Sequence, residues 1–401
     1  MATASTRRRA RWWLALLLLP AFAAGTLFGV LSLYWKLPPL YPALLRANAL
    51  LAAGSARFLD PSEPVADRDG PEEPFVAELI SVDTAADVAA LRRALTAHLW
   101  GEDAVAGRPP GRPPASVETD VADARFADLD AVAGIDRLTF AMDFGFESIV
   151  YRFRPASLGR GVVLFHQGHR PEGFAGSADL IDELLGAGHT VFALSMPLTG
   201  DNPRPEVELP RHGPLRITTH NQMELLRPET GHPIRYFIQP VIDVLNHAES
   251  TLPGEDLFMV GLSGGGWTTT MAAALDPRIR ASYPVAGSLP FFLMSGALDG
   301  WGEFEQFDSR TYEVANYLEL YVLAASGAGR EHVPIYNEFD PCCYFGTGMW
   351  RFDDTVRARV EAIGEGGFEV LIDRTHREHA ISAFALGRIL ERIARHAPPA
   401  G

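Results

Sequence analysis

Lysine is almost absent from the 401-residue sequence, where Lys36 is the single example, and acidic residues outnumber basic ones by 50 to 35. Five basic residues and no acidic one lie in residues 1–36, so residues 37–401 carry a formal charge of −20. Nucleic-acid binding depends on a basic surface, so this charge excludes a general nucleic-acid-binding protein. A Walker-type phosphate loop needs a lysine in its motif, and the chain beyond Lys36 has none.

Cysteine is nearly as scarce, since the chain has only Cys342 and Cys343. Two cysteines cannot form a disulfide framework. A bond between neighbours would close a strained ring, because adjacent Cα atoms lie only about 3.8 Å apart. We therefore interpret the pair as two buried thiols that act as small apolar side chains. A vicinal disulfide in an oxidising compartment is the alternative.

Charge is absent from residues 12–35, a stretch of 24 positions. A helix of that length spans roughly 36 Å, enough for the ~30 Å hydrocarbon core of a membrane. The preceding residues 1–11 hold four arginines and should stay in the cytoplasm, which places the rest of the chain in the periplasm or at the cell surface. The alternative is a cleaved signal peptide ending near the Ala-Phe-Ala triplet at 21–23.

The remaining sequence is interpreted as a membrane-proximal helix and tether (36–75), an N-terminal extension (76–134) and an α/β domain (135–397). The extension has a helical pattern at 84–99, and it either packs beside the sheet or acts as a spacer. The domain begins with an antiparallel strand pair at 135–144 and 147–153. Short apolar strands then alternate with helices, which predicts a mostly parallel central sheet with helices on both faces. The strands are expected at 161–165, 190–194, 256–261, 280–286, 333–337 and 368–372, and the helices at 178–185, 234–248, 267–275, 312–325, 353–363 and 381–396.

Two segments interrupt this alternation, at 197–233 and 287–311. Long connections within a domain are usually functional, so we predict that both are cap or lid insertions. The second is rich in aromatic residues that either line an apolar acyl pocket or pack on the body. These are Phe291, Phe292, Trp301, Phe304 and Phe307.

The sequence Gly-Leu-Ser-Gly-Gly at 261–265 has the Gly-x-Ser-x-Gly pattern, after a predicted strand and before a predicted helix. A sharp strand-to-helix turn holds such a serine hydroxyl above the sheet, so Ser263 is the predicted nucleophile. A Gly-rich phosphate loop or a chance turn are the alternatives.

With this motif the chain from about residue 135 to 396 resembles the α/β-hydrolase superfamily. The resemblance implies the order nucleophile, acid, histidine. Asp340 follows the predicted strand 333–337, where the family acid usually lies. His376 and His379 follow the last strand, and we favour His379 as the base, with His376 as the alternative base or a pocket residue. The rival acids are Glu338, Asp299, Asp308 and Asp373.

The resemblance also implies an oxyanion hole built from backbone N–H groups. One donor should be Gly264, the residue after the serine. The second should come from the His-Gln-Gly-His loop at 166–169, which resembles the family's His-Gly motif with Gln167 inserted. We assign it to His169 or Gly168.

Twelve histidines raise the question of a metal ion. They include two His-x-x-His pairs, 166/169 and 376/379, which the oxyanion loop and the catalytic base account for. Three more, His212, His220 and His232, lie in the first insertion. Cys-x-x-Cys and His-Glu-x-x-His motifs are missing, so we expect neither a metal nor a cofactor.

These observations predict a membrane-anchored, extracytoplasmic serine hydrolase that cleaves a carboxylic ester of a small molecule, lipid or acylated polysaccharide. A polyanionic substrate is disfavoured unless Arg204, Arg211, Arg216, Arg227 and Arg235 gather into a local patch. An inactive scaffold of the same fold that binds an envelope partner and a peptidase are the alternatives. The oligomeric state is left open.

Overall fold

A computed structural model of the chain describes residues 73–102, 109–157, 161–170, 173–294 and 302–396. All of them belong to one structural unit, Leu59–Gly401. Within these ranges no helix has the length and apolar character needed to cross a membrane. The predicted span 12–35 and the predicted tether lie outside the described residues, apart from the last few positions of the tether.

Eleven of the described strands form one sheet, and β6 and β7 form a separate hairpin. The order across the sheet is β1-β2-β3-β5-β4-β8-β9, and β9 then pairs with both β10 and β11. Strand β10 pairs in turn with β12, and β11 pairs with β13. The first three pairings are antiparallel and all the others are parallel. The mostly parallel sheet with an antiparallel edge is therefore confirmed. The strands are β1 (Ser116–Glu118), β2 (Val132–Ala141), β3 (Glu147–Pro155), β4 (Val162–His166), β5 (Thr190–Leu194), β6 (Glu206–Leu209), β7 (Gly213–Arg216), β8 (Leu257–Leu262), β9 (Ile279–Val285), β10 (Glu331–His332), β11 (Ile335–Asn337), β12 (Gly367–Phe368) and β13 (Leu371–Asp373).

Helices cover both faces of the sheet, as predicted. Along β4, Val162 and Leu164 belong to one apolar core, and Val163 and Phe165 belong to the other, because successive side chains of a strand point to opposite faces. Side chains from α1, α4, α5, α8 and α9 fill the first core, and those from α2 and α10 fill the second. The helices are α1 (Ala85–Trp100), α2 (Ala178–Gly186), α3 (His220–Met223), α4 (Arg235–Thr251), α5 (Gly264–Leu275), α6 (Phe304–Phe307), α7 (Ser309–Tyr312), α8 (Tyr317–Ala325), α9 (Trp350–Ile363) and α10 (Ala383–His396).

The N-terminal extension packs on the body. Thr84 begins α1 with a capping box that it shares with Asp87. The Arg92 side chain donates to the carbonyl oxygens of Ala274 on α5 and Leu323 on α8, at 2.8 and 2.9 Å. Strand β1 adds to the sheet edge beside β2. Of the two alternatives for residues 76–134, packing beside the sheet is the one observed.

The two insertions have little regular structure. The first contains the β6–β7 hairpin and the single-turn helix α3, and the second contains the short helices α6 and α7. The helix predicted over 312–325 is divided, because Asn316 accepts hydrogen bonds from the N–H groups of Leu318 and Glu319 and so caps α8. The helix predicted from residue 267 begins earlier, at Gly264, directly after the candidate nucleophile.

Candidate active site

Ser263 lies on the turn between β8 and α5 with φ 58° and ψ −125°. A positive φ is uncommon for a residue other than glycine and is held here by its surroundings. The Ser263 N–H donates to the carbonyl of Val285 at 2.9 Å. A Cβ on Gly261 would lie 2.1 Å from the Gly265 carbonyl oxygen, and one on Gly265 would lie 2.1 Å from that of His166. The two glycines of the motif are thus required by close backbone packing.

The structure joins Asp340 to His379, with 2.7 Å between Asp340 Oδ2 and His379 Nδ1. Asp340 follows β11 and its side chain is fully buried, whereas the His379 side chain is 22% exposed. The other oxygen, Oδ1, accepts from the N–H groups of Cys342 and Cys343 at 2.8 and 3.1 Å. An ionised carboxylate can only accept, so Nδ1 of His379 is the donor and a neutral ring has its lone pair on Nε2.

His376 lies with a different acid. Its Nε2 is 3.3 Å from Oδ2 of Asp373, which also accepts from Ser382. Of the other rival acids, Glu338 pairs with Arg374 at 2.9 Å and Asp308 accepts from the backbone and hydroxyl of Thr311. Asp299 lies outside the described residues. Among the described candidates, Asp340 is therefore the acid that His379 contacts.

Ser263 and His379 lie at the same edge of the sheet, since both follow the carboxyl ends of parallel strands. The loop after β4 lies against both. A Cβ on Gly168 of that loop would be 2.4 Å from the Leu262 carbonyl oxygen, and Arg170 donates to the His379 carbonyl at 3.3 Å. Within the described part of the chain, no hydrogen bond joins the Ser263 hydroxyl to His379.

The hydrogen bonds of the loop after β4 distinguish the two candidates for the second oxyanion donor, Gly168 and His169. Burial lowers the pKa of the His166 imidazole to about 3, so the ring is neutral at physiological pH. Its Nδ1 accepts the N–H of Gly168 at 3.4 Å. Gly168 has φ +82°, which turns the chain so that the His169 ring lies beside Gly264. The N–H of Gly168 is therefore engaged.

One cluster of side chains beside this loop was not predicted. His169 on the loop, His220 on α3 and Glu305 on α6 meet with 3.0 to 3.3 Å between His169 Nε2, His220 Nδ1 and Glu305 Oε1. Glu303 joins them through Oε2, 2.8 Å from His220 Nδ1. The members are up to 136 residues apart in the chain, so no local spacing could indicate the cluster. The only signal was the number of histidines in the first insertion.

Neighbouring charges and burial shift the pKa values of His220 and Glu305 in this cluster. Burial alone would lower the pKa of His220, but the adjacent Glu305 and Glu303 raise it to about 10. Burial opposes the ionised form of Glu305, yet the two histidines hold the pKa of its carboxyl well below the usual range. The fully buried Glu305 is thus ionised in the folded protein.

The interpretation of the cysteines as free buried thiols is wrong. Cys342 and Cys343 form a disulfide, and both are partly exposed. The turn that holds both backbone N–H groups on one oxygen of Asp340 also places the two side chains together. The disulfide therefore lies on the loop that carries the candidate catalytic acid.

The aromatic residues of the second insertion that the structure describes mostly pack on the body. Phe291 contacts the rings of Tyr312 and Tyr317 edge-on, at centroid distances of 5.2 and 5.4 Å. Phe304 is buried and Phe307 is 41% exposed. Trp301 lies outside the described residues.

The five arginines at 204, 211, 216, 227 and 235 gather only in part. Arg227 and Arg235 line a cavity of about 800 Å³ together with Arg112 and Asp143. Arg112 and Arg235 both pair with Asp143, which offsets one of their two charges, and Glu229 also lines the cavity. Arg204, Arg211 and Arg216 are not part of its lining.

No protein-family model matches the chain, and no curated protein sequence matches it. Solved structures resemble it. The acetyl xylan esterase from Paenibacillus sp. R4 has a TM-score of 0.51 at 14% identity, covering 80% of this chain and 98% of its own. Acetyl xylan esterase 1 from Thermoanaerobacterium sp. JW/SL YS485 gives the same values. The glucuronoyl esterase from Solibacter usitatus has a TM-score of 0.50 at 12% identity, covering 77% of this chain and 92% of its own. At such low identity the likeness establishes the fold, and the chain therefore has the α/β-hydrolase fold of these esterases.

Proposed function

We propose that this protein is a serine hydrolase that cleaves carboxylic esters with Ser263 as nucleophile, His379 as base and Asp340 as the acid that orients the histidine. The observation that carries the proposal is the 2.7 Å pair between Asp340 and His379 at the sheet edge where Ser263 occupies its strained turn. Enzymes of nucleophilic acyl transfer with this fold typically carry a strained serine, a histidine and a buried carboxylate on three loops at one edge of the sheet.

The reaction follows from the tautomer of His379. Because Nδ1 donates to Asp340, Nε2 is the atom that takes the proton of the Ser263 hydroxyl as the serine attacks the ester carbonyl. The buried aspartate stabilises the imidazolium that forms. The same proton then goes to the leaving alcohol, and water enters to release the acid by the reverse sequence.

The oxyanion that forms during attack needs N–H donors beside Ser263. Gly264 begins α5 directly after the serine, and its N–H is one donor. The N–H of Gly168 is engaged by His166, which favours the His169 backbone as the second donor. This assignment selects between the two residues that the sequence left open.

Esters of carbohydrates are the substrate class we favour. The support is that the similar solved structures include two acetyl xylan esterases and a glucuronoyl esterase. Acetylated and glucuronoyl-esterified oligosaccharides should therefore be tested beside simple 4-nitrophenyl esters. A matched pair of ester and amide with the same acyl group separates an esterase from a peptidase.

We also propose that residues 12–35 anchor the protein in the membrane with the catalytic domain outside the cytoplasm. The support is the charge-free stretch of 24 residues preceded by four arginines. An anchored enzyme would act on esters in the cell envelope or on esters imported through it.

Labelling with a fluorophosphonate probe tests the catalytic proposal on the full-length protein. Ser263→Ala should abolish labelling. His379→Ala and Asp340→Asn should slow it by roughly 10² to 10⁴-fold, the usual contribution of a general base. His376→Ala is the matched control, because this neighbouring histidine pairs with Asp373, and it should label at nearly the normal rate.

Other results would contradict the assignment. Labelling that survives in Ser263→Ala would place the nucleophile elsewhere. Equal losses in the two histidine variants would remove the distinction between His379 and His376. A folded wild-type protein that never labels would favour the inactive scaffold.

A further inference from the structure

We propose that His169, His220, Glu303 and Glu305 form a binding site for one divalent transition-metal ion, with zinc as the ion that fits best. The four residues come from three separate segments: the loop after β4, helix α3 in the first insertion, and the start of α6 in the second. Their ligand atoms all lie within 4.8 Å of one another. Imidazole nitrogen and carboxylate oxygen are the donors that zinc takes in many proteins.

Five of the six distances between the donor atoms lie on either side of the spacing of a tetrahedral site, and the sixth, between the two glutamates, is within 4.8 Å. Zinc bonds of 2.0–2.2 Å place four tetrahedral ligands roughly 3.3 to 3.6 Å apart. The distances between His169 Nε2, His220 Nδ1 and Glu305 Oε1 are 3.0, 3.2 and 3.3 Å. Glu303 Oε2 is 2.8 Å from the nitrogen of His220 and 4.0 Å from that of His169. The observed distances bracket the tetrahedral value.

His220 is oriented as a ligand. Its Nε2 lies 2.8 Å from the carbonyl oxygen of Pro197, which can only accept, so this nitrogen carries a proton. In the neutral ring the lone pair is then on Nδ1, which points at both glutamates and at His169. A histidine that donates its other N–H to a backbone carbonyl is the usual arrangement of a metal ligand.

Charge balance also favours a dication. Glu305 has a fully buried side chain, and its second oxygen, Oε2, has no hydrogen-bond partner. Within the described residues, the ion pairs of Glu303 and Glu305 are all with the two histidines. The Glu303 side chain is 43% exposed and partly solvated, so a proton on His220 alone would leave one net negative charge at the site, whereas protons on both rings would place two cations 3.2 Å apart, where like charges repel. One divalent ion balances both carboxylates while both rings stay neutral.

Such an ion would tie both insertions to the oxyanion loop. The His169 ring lies so close to Gly264 that a Cβ there would be 2.4 Å from His169 Nδ1. The ion would therefore hold the His169 backbone in place beside Ser263, which is a positioning role. This consequence rests on the proposed function, whereas metal binding itself does not.

The test uses full-length protein stripped with a chelator and then given Zn²⁺ or Co²⁺ alone. Elemental analysis after gel filtration should find one zinc per chain, and the Co²⁺ form should show the intense visible bands of a four-coordinate site. His220→Ala and Glu305→Gln should each lose the metal. His212→Ala and Glu224→Gln are the matched controls, because both residues are exposed in the same insertion, and they should retain it.

Two results would overturn the proposal. The first is wild-type protein that keeps its fold but takes up neither ion, whether or not it labels with the fluorophosphonate. The second is metal uptake that persists in the His220→Ala/Glu305→Gln double variant. If a variant does not fold, the Co²⁺ spectrum of the wild type decides, since six-coordinate Co²⁺ gives only weak bands. Labelling of Ser263 is read separately, so its failure is distinguishable from absence of metal.

Discussion

Two buried aspartates of this protein differ in what their oxygens contact. Both oxygens of Asp340 accept hydrogen bonds, from two backbone N–H groups on one side and from His379 on the other. Asp243 on α4 accepts at Oδ1 only, from Gln239 and from the N–H of Arg112, while Oδ2 is buried with no partner. Burial dominates at Asp243 and raises the pKa of its carboxyl to about 6.

This shift makes Asp243 a source of pH-dependent instability. An unfolded aspartate has a pKa of about 3.9, so as the pH rises from about 4 to 6 the unfolded chain releases its proton first and the folded state loses stability. Two pKa units correspond to about 3 kcal/mol. Asp243→Asn should therefore unfold at nearly the same urea concentration as wild type near pH 4 and be about 1–3 kcal/mol more stable at pH 8.

Urea unfolding of both proteins at the two pH values measures this difference. The comparison at pH 4 is the internal control, because both side chains are neutral in the folded protein there and the half-ionised aspartate of the unfolded chain changes stability by only about 0.5 kcal/mol. Asparagine also retains an oxygen for the same two donors. An advantage of equal size at both pH values would mean that titration of Asp243 is not its cause.

At the scale of elements, glycines set how closely the loop after β4 approaches the turn that carries Ser263. Gly168 combines φ +82° with a close backbone contact, since a Cβ would lie 2.4 Å from the Leu262 carbonyl oxygen. Gly213 in the β6–β7 hairpin has a similar φ of +73° but no atom within 4 Å of a Cβ. Replacing each glycine with alanine therefore distinguishes the loss of stability caused by the positive φ from the loss caused by the close contact.

Gly168→Ala should lower the free energy of unfolding by about 2–4 kcal/mol, because both the conformation and the contact are lost. Gly213→Ala is the control and should cost only the conformational part, about 1 kcal/mol. Thermal unfolding measures both values. Fluorophosphonate labelling should slow in Gly168→Ala and stay normal in Gly213→Ala. Equal destabilisation by the two changes would contradict the close packing at Gly168.

The whole molecule divides sharply by charge, with an acid-free, arginine-containing N-terminus and a body of charge −20. If residues 12–35 form an anchor, the full-length protein should stay in the membrane fraction through an alkaline carbonate wash. Ala24→Arg combined with Leu27→Arg should release it, since each arginine near the centre of a membrane span costs about 2.5–3.5 kcal/mol.

Protease digestion of intact cells with the outer membrane permeabilised measures the side on which the domain lies, and intact mass reports whether the N-terminus is retained. A mature protein that begins near residue 24 and is free of the membrane would instead identify residues 1–23 as a cleaved signal peptide.

Local patterns in the sequence predicted most of the architecture, although β10 was missed and the strand predicted over 368–372 is divided into β12 and β13. Apolar runs of four to seven residues alternating with amphipathic helices predict a parallel sheet, because burial of each element depends on its own residues. The same holds for the Gly-x-Ser-x-Gly turn, whose serine and glycines are neighbours in the chain. The break before α8 was missed, since Val314 and Ala315 continue the apolar pattern and only the hydrogen bonds of Asn316 reveal the new start.

Tertiary structure decided which distant side chains meet. His376 and His379 follow the same strand three residues apart, and only the fold shows that His379 contacts Asp340 while His376 contacts Asp373. The cluster of His169, His220, Glu303 and Glu305 forms because two insertions pack against one loop. The sequence by itself determined most of the elements and the turn that carries the candidate nucleophile, whereas contacts between loops depend on how the sheet brings the ends of its strands together.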